Sequence, residues 1–199
     1  YRVFFEGERS VTIGPGSKMV SDPLTIALRK GEVIQVSFYL GDYTLMRSVV
    51  YTQGPLSEGL YANGDKTEDA RIDIVNSRKT HLFYFLSNVS VLTDSGNRTI
   101  VCYGDSITAQ DWPDCLAMRC YLEDYSKTAI IRRAASGTRI LRQYDCLTYE
   151  SYGLSGENRF DHEVPTDGAD TVIIQQGIND IIHPVGESVN QFRPMSDLP

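Results

Sequence analysis

The sequence predicts an α/β unit built on a parallel sheet over residues 96–199, preceded by an all-β sandwich over residues 1–95. Three observations predict this. Residues before 95 fall into short β-type runs, two of which, 32–40 and 45–52, alternate apolar and polar side chains. Residues after 96 set short apolar runs between helical patterns. The turn-forming cluster Thr93-Asp94-Ser95-Gly96-Asn97 divides the two.

In the first half, residues 1–5 and 9–13 are short aromatic or β-branched runs around Glu6-Gly7-Glu8, and Gly14-Pro15-Gly16 then breaks the chain. Residues 32–40 (EVIQVSFYL) and 45–52 both alternate, with Gly41-Asp42 between them as a hairpin signal. Residues 56–69 are polar, with Asn63-Gly64-Asp65 marking a loop, and residues 80–92 (THLFYFLSNVSVL) supply one long strand or two bent ones. A helical stripe is missing throughout, and about seven or eight antiparallel strands fit the spacing.

The second half changes period. Residues 99–103 form a short apolar strand. Residues 112–125 carry a helical stripe at Leu116, Ala117, Cys120 and Tyr121, with Asp111 at the N-cap and Pro113 in the first turn. Residues 128–131 are a second strand, residues 139–149 a second helix, and residues 171–175 (TVIIQ) a third strand after the loop Pro165-Thr166-Asp167-Gly168. Strand, helix, strand, helix, strand is the pattern of a parallel sheet with helices on its faces.

Composition narrows the classes. With 199 residues, 41% of them hydrophobic and 23% charged, the chain has an ordinary globular balance. The formal net charge of -7 gives no basic footprint for phosphate backbones, so no nucleic-acid partner is expected. No run approaches the roughly 18 apolar residues of a bilayer span, so no membrane partner is expected either. The start at Tyr1 suggests a trimmed N-terminus, which leaves a removed signal peptide and a secreted form open beside the cytoplasmic expectation. Cys115 and Cys120 point to different faces of one helix, which disfavours a mutual disulfide, and neither they nor Cys102 and Cys146 form a CxxC pair. The expectation is free thiols in a reducing cytoplasm, with no metal and no cofactor. The sequons Asn88-Val89-Ser90 and Asn97-Arg98-Thr99 are short enough to arise by chance.

In parallel sheets, chemistry gathers at the C-terminal ends of the strands. Three candidate segments fall there. Gly104-Asp105-Ser106 follows the first strand: Gly104 permits a sharp turn, the Ser106 hydroxyl emerges at the sheet edge, and amides at a helix start stay free to stabilise an anion. The bland reading of Ser106 is an N-cap. Ala134-Ala135-Ser136-Gly137-Thr138 follows the second strand, where Gly137 offers an unobstructed amide, or simply a turn. Gln176-Gly177-Ile178-Asn179-Asp180 follows the third, where the Asn179 side chain donates to an oxyanion or braces its loop. Together they supply what an acyl-transfer tetrahedral intermediate needs, one nucleophilic oxygen and several preset donors.

The order of GDSIT at 104–108, Gly137 in a small-residue loop, and Gly177-Ile178-Asn179-Asp180 resembles the first three blocks of the SGNH (GDSL-type) hydrolases over about residues 99–183. The resemblance implies a flavodoxin-like sheet in three α/β/α layers, and ester hydrolysis without a cofactor. It implies catalytic roles for Ser106 as nucleophile and for the Ser106 amide, the Gly137 amide and the Asn179 side chain as oxyanion hole. Asp105, Ile107 and His183 are then residues lining the substrate site. The all-β half is similar to the jelly-roll-like sandwich that precedes the hydrolase domain in some bacterial members.

A Ser hydroxyl needs a base, and the family takes it from an Asp-x-x-His block well after the Gly-x-Asn-Asp loop. Asp180-Ile181-Ile182-His183 has that spelling but continues the Asn179 loop, and no other such block follows before Pro199. The expectation is that the natural protein continues past residue 199 and carries that block, and that only three of the family's five strands are present. The third strand is then an unprotected edge open to self-association. His81 is structural, His162 sits in a polar loop, and His183 continues the Asn179 loop. The function expected is hydrolysis of short acyl esters, small-molecule or carbohydrate, acetylated carbohydrate among them. The alternative is a catalytically incomplete carbohydrate- or protein-binding module, with Tyr43, Tyr51 and Tyr61 available to stack on sugars.

Overall fold

The central strand of the parallel sheet, Arg98–Gly104, carries a continuous apolar run from Ile100, and its last four residues are buried. A strand sheltered on both faces needs that continuity rather than alternation. The computed structural model describes residues 1–41, 49–69, 76–123, 127–141, 143, 153–165 and 168–182. The chain divides into two units, Tyr1–Gln35 and Val36–Pro199.

In the unit Tyr1–Gln35, Phe5 and Glu8 exchange backbone hydrogen bonds of 2.8 and 3.0 Å around the Glu6-Gly7 turn. The Asp22 carboxylate accepts from the Glu6 and Gly7 amides at 3.0 and 2.9 Å. The Asp22 amide returns a bond to the Phe4 carbonyl at 2.8 Å. The runs at 1–5, 9–13 and 32–40 form no strand ladder. Period two marks a segment that suits a pleated surface, but only a paired neighbour makes it a strand. Here a carboxylate serves the amides of the turn.

The unit Val36–Pro199 contains, in order, β1 (Val50–Tyr51), β2 (Gly59–Tyr61), β3 (Arg78–Thr80), β4 (Leu82–Phe83), β5 (Arg98–Gly104), α1 (Trp112–Leu122), β6 (Thr128–Ala134), α2 (Gly156–Glu163), β7 (Ala169–Gln175) and α3 (Ile178–Ile182). β1 pairs antiparallel with β4, and β2 with β3, as two separate two-stranded ladders. β5, β6 and β7 form a parallel sheet in the order β6-β5-β7. Gly104 lies opposite Ala134 on one side and Gln175 on the other, so the three strands end level. A register shift between Thr99 and Ile100 skips Asp170, whose carboxylate accepts the Thr99 amide at 2.8 Å.

α1 packs against β6. Its buried residues are Pro113 and Asp114, while the stripe expected from the sequence is half-buried or exposed. The compact core is Val101, Tyr103 and Val164 with Ile131, Phe160 and Val172 packed on it. α2 was not visible in the sequence pattern, and it carries His162, which therefore sits on a helix and not in a loop. The Gly41-Asp42 hairpin, part of the strand 45–52, Tyr43, most of the helix 139–149, Cys146 and His183 lie outside the described residues.

Candidate active site

The segment after β5 is a tight turn rather than an immediate helix. Asp105 is 1% exposed, and its Oδ1 accepts the Ile107 amide at 3.0 Å. The Ala109 amide donates to the Asp105 carbonyl at 3.0 Å. α1 begins six residues after Ser106, too far for its dipole, which acts within the first turn. What the turn leaves at Ser106 is an amide and a hydroxyl with no hydrogen-bond partner among the described residues. Gly104 is required for close approach, not for its own turn: a Cβ there would stand 2.1 Å from the Gln175 carbonyl oxygen and 2.3 Å from Thr108 Oγ1.

The segment after β6 bends at Gly137, with φ +77°. Only glycine adopts that conformation without strain. The Ala135 amide donates to the Gly104 carbonyl at 3.1 Å, and Thr138 closes the loop onto the Ala135 carbonyl. The Gly137 amide has no partner among the described residues. After β7, Asn179 Nδ2 donates to the Thr138 carbonyl at 3.1 Å, and the Asp180 carboxylate accepts the Ile140 amide at 3.0 Å. Gln176 Nε2 reaches Thr138 Oγ1 at 3.3 Å and the Arg139 carbonyl at 3.1 Å. Thr108 Oγ1 completes the ring by donating to the Gln175 carbonyl at 3.3 Å.

These bonds make the three strand-end segments neighbours. The segments holding Ser106 and Gly137 meet through Gly104 and Ala135, and those holding Gly137 and Asn179 through Thr138. Burial pushes the Asp180 carboxyl above its ordinary value, the Ile140 amide and Arg139 oppose that, and the nearby Asp105 charge adds to it. Asp105 Oδ2 is buried without a partner, and Ile107 is 37% exposed. No described imidazole is bonded to Ser106: the His81 carbonyl accepts from Thr52, its ring meets Tyr51 edge-on, and His162 lies exposed on α2.

Sequence reasoning missed Arg159. This side chain projects from α2 and donates to the Gly104 carbonyl at 3.4 Å, to Thr138 Oγ1 at 3.1 Å and to the Arg133 carbonyl at 3.5 Å. Glu163 balances its charge at 2.7 Å, and its guanidinium lies 5.0 Å from the Tyr103 ring centroid. It ties the end of β5 to the loop after β6. The only available signal was a lone Arg beside Phe160 in an otherwise polar segment.

Among the described residues no cluster of three metal-ligating side chains occurs, and no helix is long and apolar enough to cross a membrane. No protein-family model matches the chain, and no curated protein matches it.

Proposed function

We propose that the chain carries the nucleophile and oxyanion hole of a serine ester hydrolase of the SGNH type. The observation that carries this is the level ending of β5, β6 and β7 with interlocked loops, in which the Ser106 and Gly137 amides have no partner among the described residues. Ser106 Oγ attacks the acyl carbon while its proton passes to a base. The oxyanion rests on the two amides and on Asn179, the alcohol leaves with the proton, and water then releases the acid. The resemblance assigns the base to an Asp-x-x-His block, and we keep that assignment. Asp105 and Ile107 shape the turn beside the acyl group, with His183 as a lining residue.

The finer architecture belongs to the same reading. The order β6-β5-β7 fits the first three strands of a flavodoxin-like sheet, and the antiparallel ladders β1–β4 and β2–β3 fit a small β-sandwich. Unpaired thiols at Cys102, Cys115 and Cys120 fit a cytoplasmic setting.

A fluorophosphonate probe tests the reading. Labelling of Ser106, absent in Ser106→Ala and accompanied by p-nitrophenyl acetate turnover above that variant, is expected. Equal background in both proteins would overturn it and leave the binding-module alternative.

A further inference from the structure

We propose that a cleft between residues 53–55 and 110–111 binds a neutral, hydroxyl-rich ligand, a saccharide, and that it holds the alcohol part of the ester attacked at Ser106. The link to Ser106 rests on the esterase reading above; the saccharide cleft does not.

The cleft has a volume of about 340 Å³ and is lined by Gln53, Gly54, Pro55, His81, Gln110 and Asp111. That is the lower end of the range for small-molecule sites, roughly 300–1,000 Å³. Its walls are held firmly. The Gln53 amide donates to the Ala109 carbonyl at 2.8 Å, and the Leu56 amide to Asp114 Oδ2 at 2.9 Å. Arg132 clamps both sides by bonding Thr52 Oγ1 and the Asp114 carboxylate. Tyr51 orients two lining side chains: its hydroxyl donates to Gln53 Oε1 at 3.1 Å, and its ring meets His81 edge-on at 6.0 Å. A cleft so braced loses little freedom when a ligand enters.

The lining chemistry selects the class. Gln53 Nε2, the His81 ring nitrogens, the Gln110 carboxamide and the Asp111 carboxylate have no hydrogen-bond partner among the described residues. They mix donors with acceptors, and hydroxyls can match both. An apolar ligand would strip water from these groups at about 1–3 kcal/mol each without replacing it. Among the described lining residues an anion would meet the Asp111 carboxylate and no Lys or Arg, the nearby Arg132 being paired with Asp114 and Thr52. A cation would suit Asp111 and leave the amide donors unmatched. Gln110 stands four residues after Ser106, and four residues span at most about 14 Å, so an oligosaccharide in the cleft reaches the nucleophile.

Saturation-transfer NMR with xylohexaose, cellohexaose and hexagalacturonate tests this on the full chain. Transfer from at least one neutral hexasaccharide is expected in the wild type and in Ser106→Ala, weakened about tenfold or more in Gln110→Ala/Asp111→Ala. His81→Ala supplies an independent arm should the double variant fail to fold. No transfer from either neutral probe, undiminished binding by the cleft variants, or preference for hexagalacturonate overturns the proposal. Saccharide binding without fluorophosphonate labelling would remove the esterase reading and leave the cleft standing. Labelling without saccharide binding would do the reverse.

Discussion

Asn179 donates its side-chain amide to the Thr138 carbonyl at 3.1 Å, so α3, which follows β7, is fastened to the loop after β6 through the residue that follows Gly137. One N–H of that amide is held and the other has no partner among the described residues, which on the proposed esterase reading leaves it for the oxyanion. Asn179→Ala is therefore expected to lower kcat on p-nitrophenyl acetate by about 10²–10³-fold with little change in KM, while stability falls by about 1 kcal/mol. A kcat within a few-fold of wild type, with that same stability loss, would make Asn179 a loop brace only.

Arg159 offers a second, structural test. Its planar fork serves the Gly104 and Arg133 carbonyls, Thr138 Oγ1 and Glu163 at once, which a compact ammonium cannot do. Arg159→Lys is expected to lower the urea unfolding free energy by about 2–3 kcal/mol, because buried groups lose partners while the charge stays. An unchanged urea midpoint would contradict this.

Gly54 is the tightest point of the cleft wall. A Cβ there would stand 2.1 Å from Asp114 Oδ2 and 2.7 Å from its Cγ, against the ion pair that Asp114 makes with Arg132. Gly54→Ala must displace a buried pair, with an expected loss of about 3 kcal/mol. Gly64→Asn, where a Cβ meets nothing among the described residues within 4 Å and Asn tolerates the φ of +79°, is the control and is expected to leave the thermal midpoint almost unchanged. Equal midpoints for both variants would refute the steric account.

Cys102 is fully buried on β5, and burial pushes its thiol up to about 11, against a weaker pull from Arg132. Thiolate is the reactive form, so Cys102 is expected to resist iodoacetamide at neutral pH until the protein unfolds, while exposed Cys115 reacts at once. Peptide mapping of a native-state time course checks it; simultaneous loss of both thiols would show that the sheet opens readily.

The parallel sheet was legible because each of its strands carries a short apolar run, and because Gly104 ends β5 while Gly137 and Asn179 fall just beyond β6 and β7. α2 was not. It is anchored by the charged Arg159, Phe160 and a hydrogen bond from the Tyr103 hydroxyl to the Gly156 carbonyl, so it carries no apolar stripe for periodicity to detect. The first 41 residues misled for the opposite reason. The short runs at 1–5 and 9–13 and the pattern at 32–40 suit a strand, yet strand formation depends on a partner that local pattern does not name. The cleft was equally hidden, since Gln53, His81 and Gln110 come from separate segments that the Gln53–Ala109 and Thr52–His81 backbone bonds and the Arg132–Asp114 clamp bring together.

Asp180 gives the site a pH signature whose direction is fixed by its burial. Its folded carboxyl lies above the ordinary value of 3.8, so the folded state holds the proton more tightly than the unfolded chain does. Its contribution is most favourable below the unfolded value and is lost as pH rises through the folded one. Asn at this position cannot titrate, yet its Oδ1 still accepts the Ile140 amide. Asp180→Asn should thus gain on the wild type in urea midpoint as pH rises from below about 4 to about 7. A midpoint difference that stays flat, or that moves in favour of the wild type toward neutral pH, would show that the Ile140 and Arg139 interactions outweigh desolvation at this carboxylate.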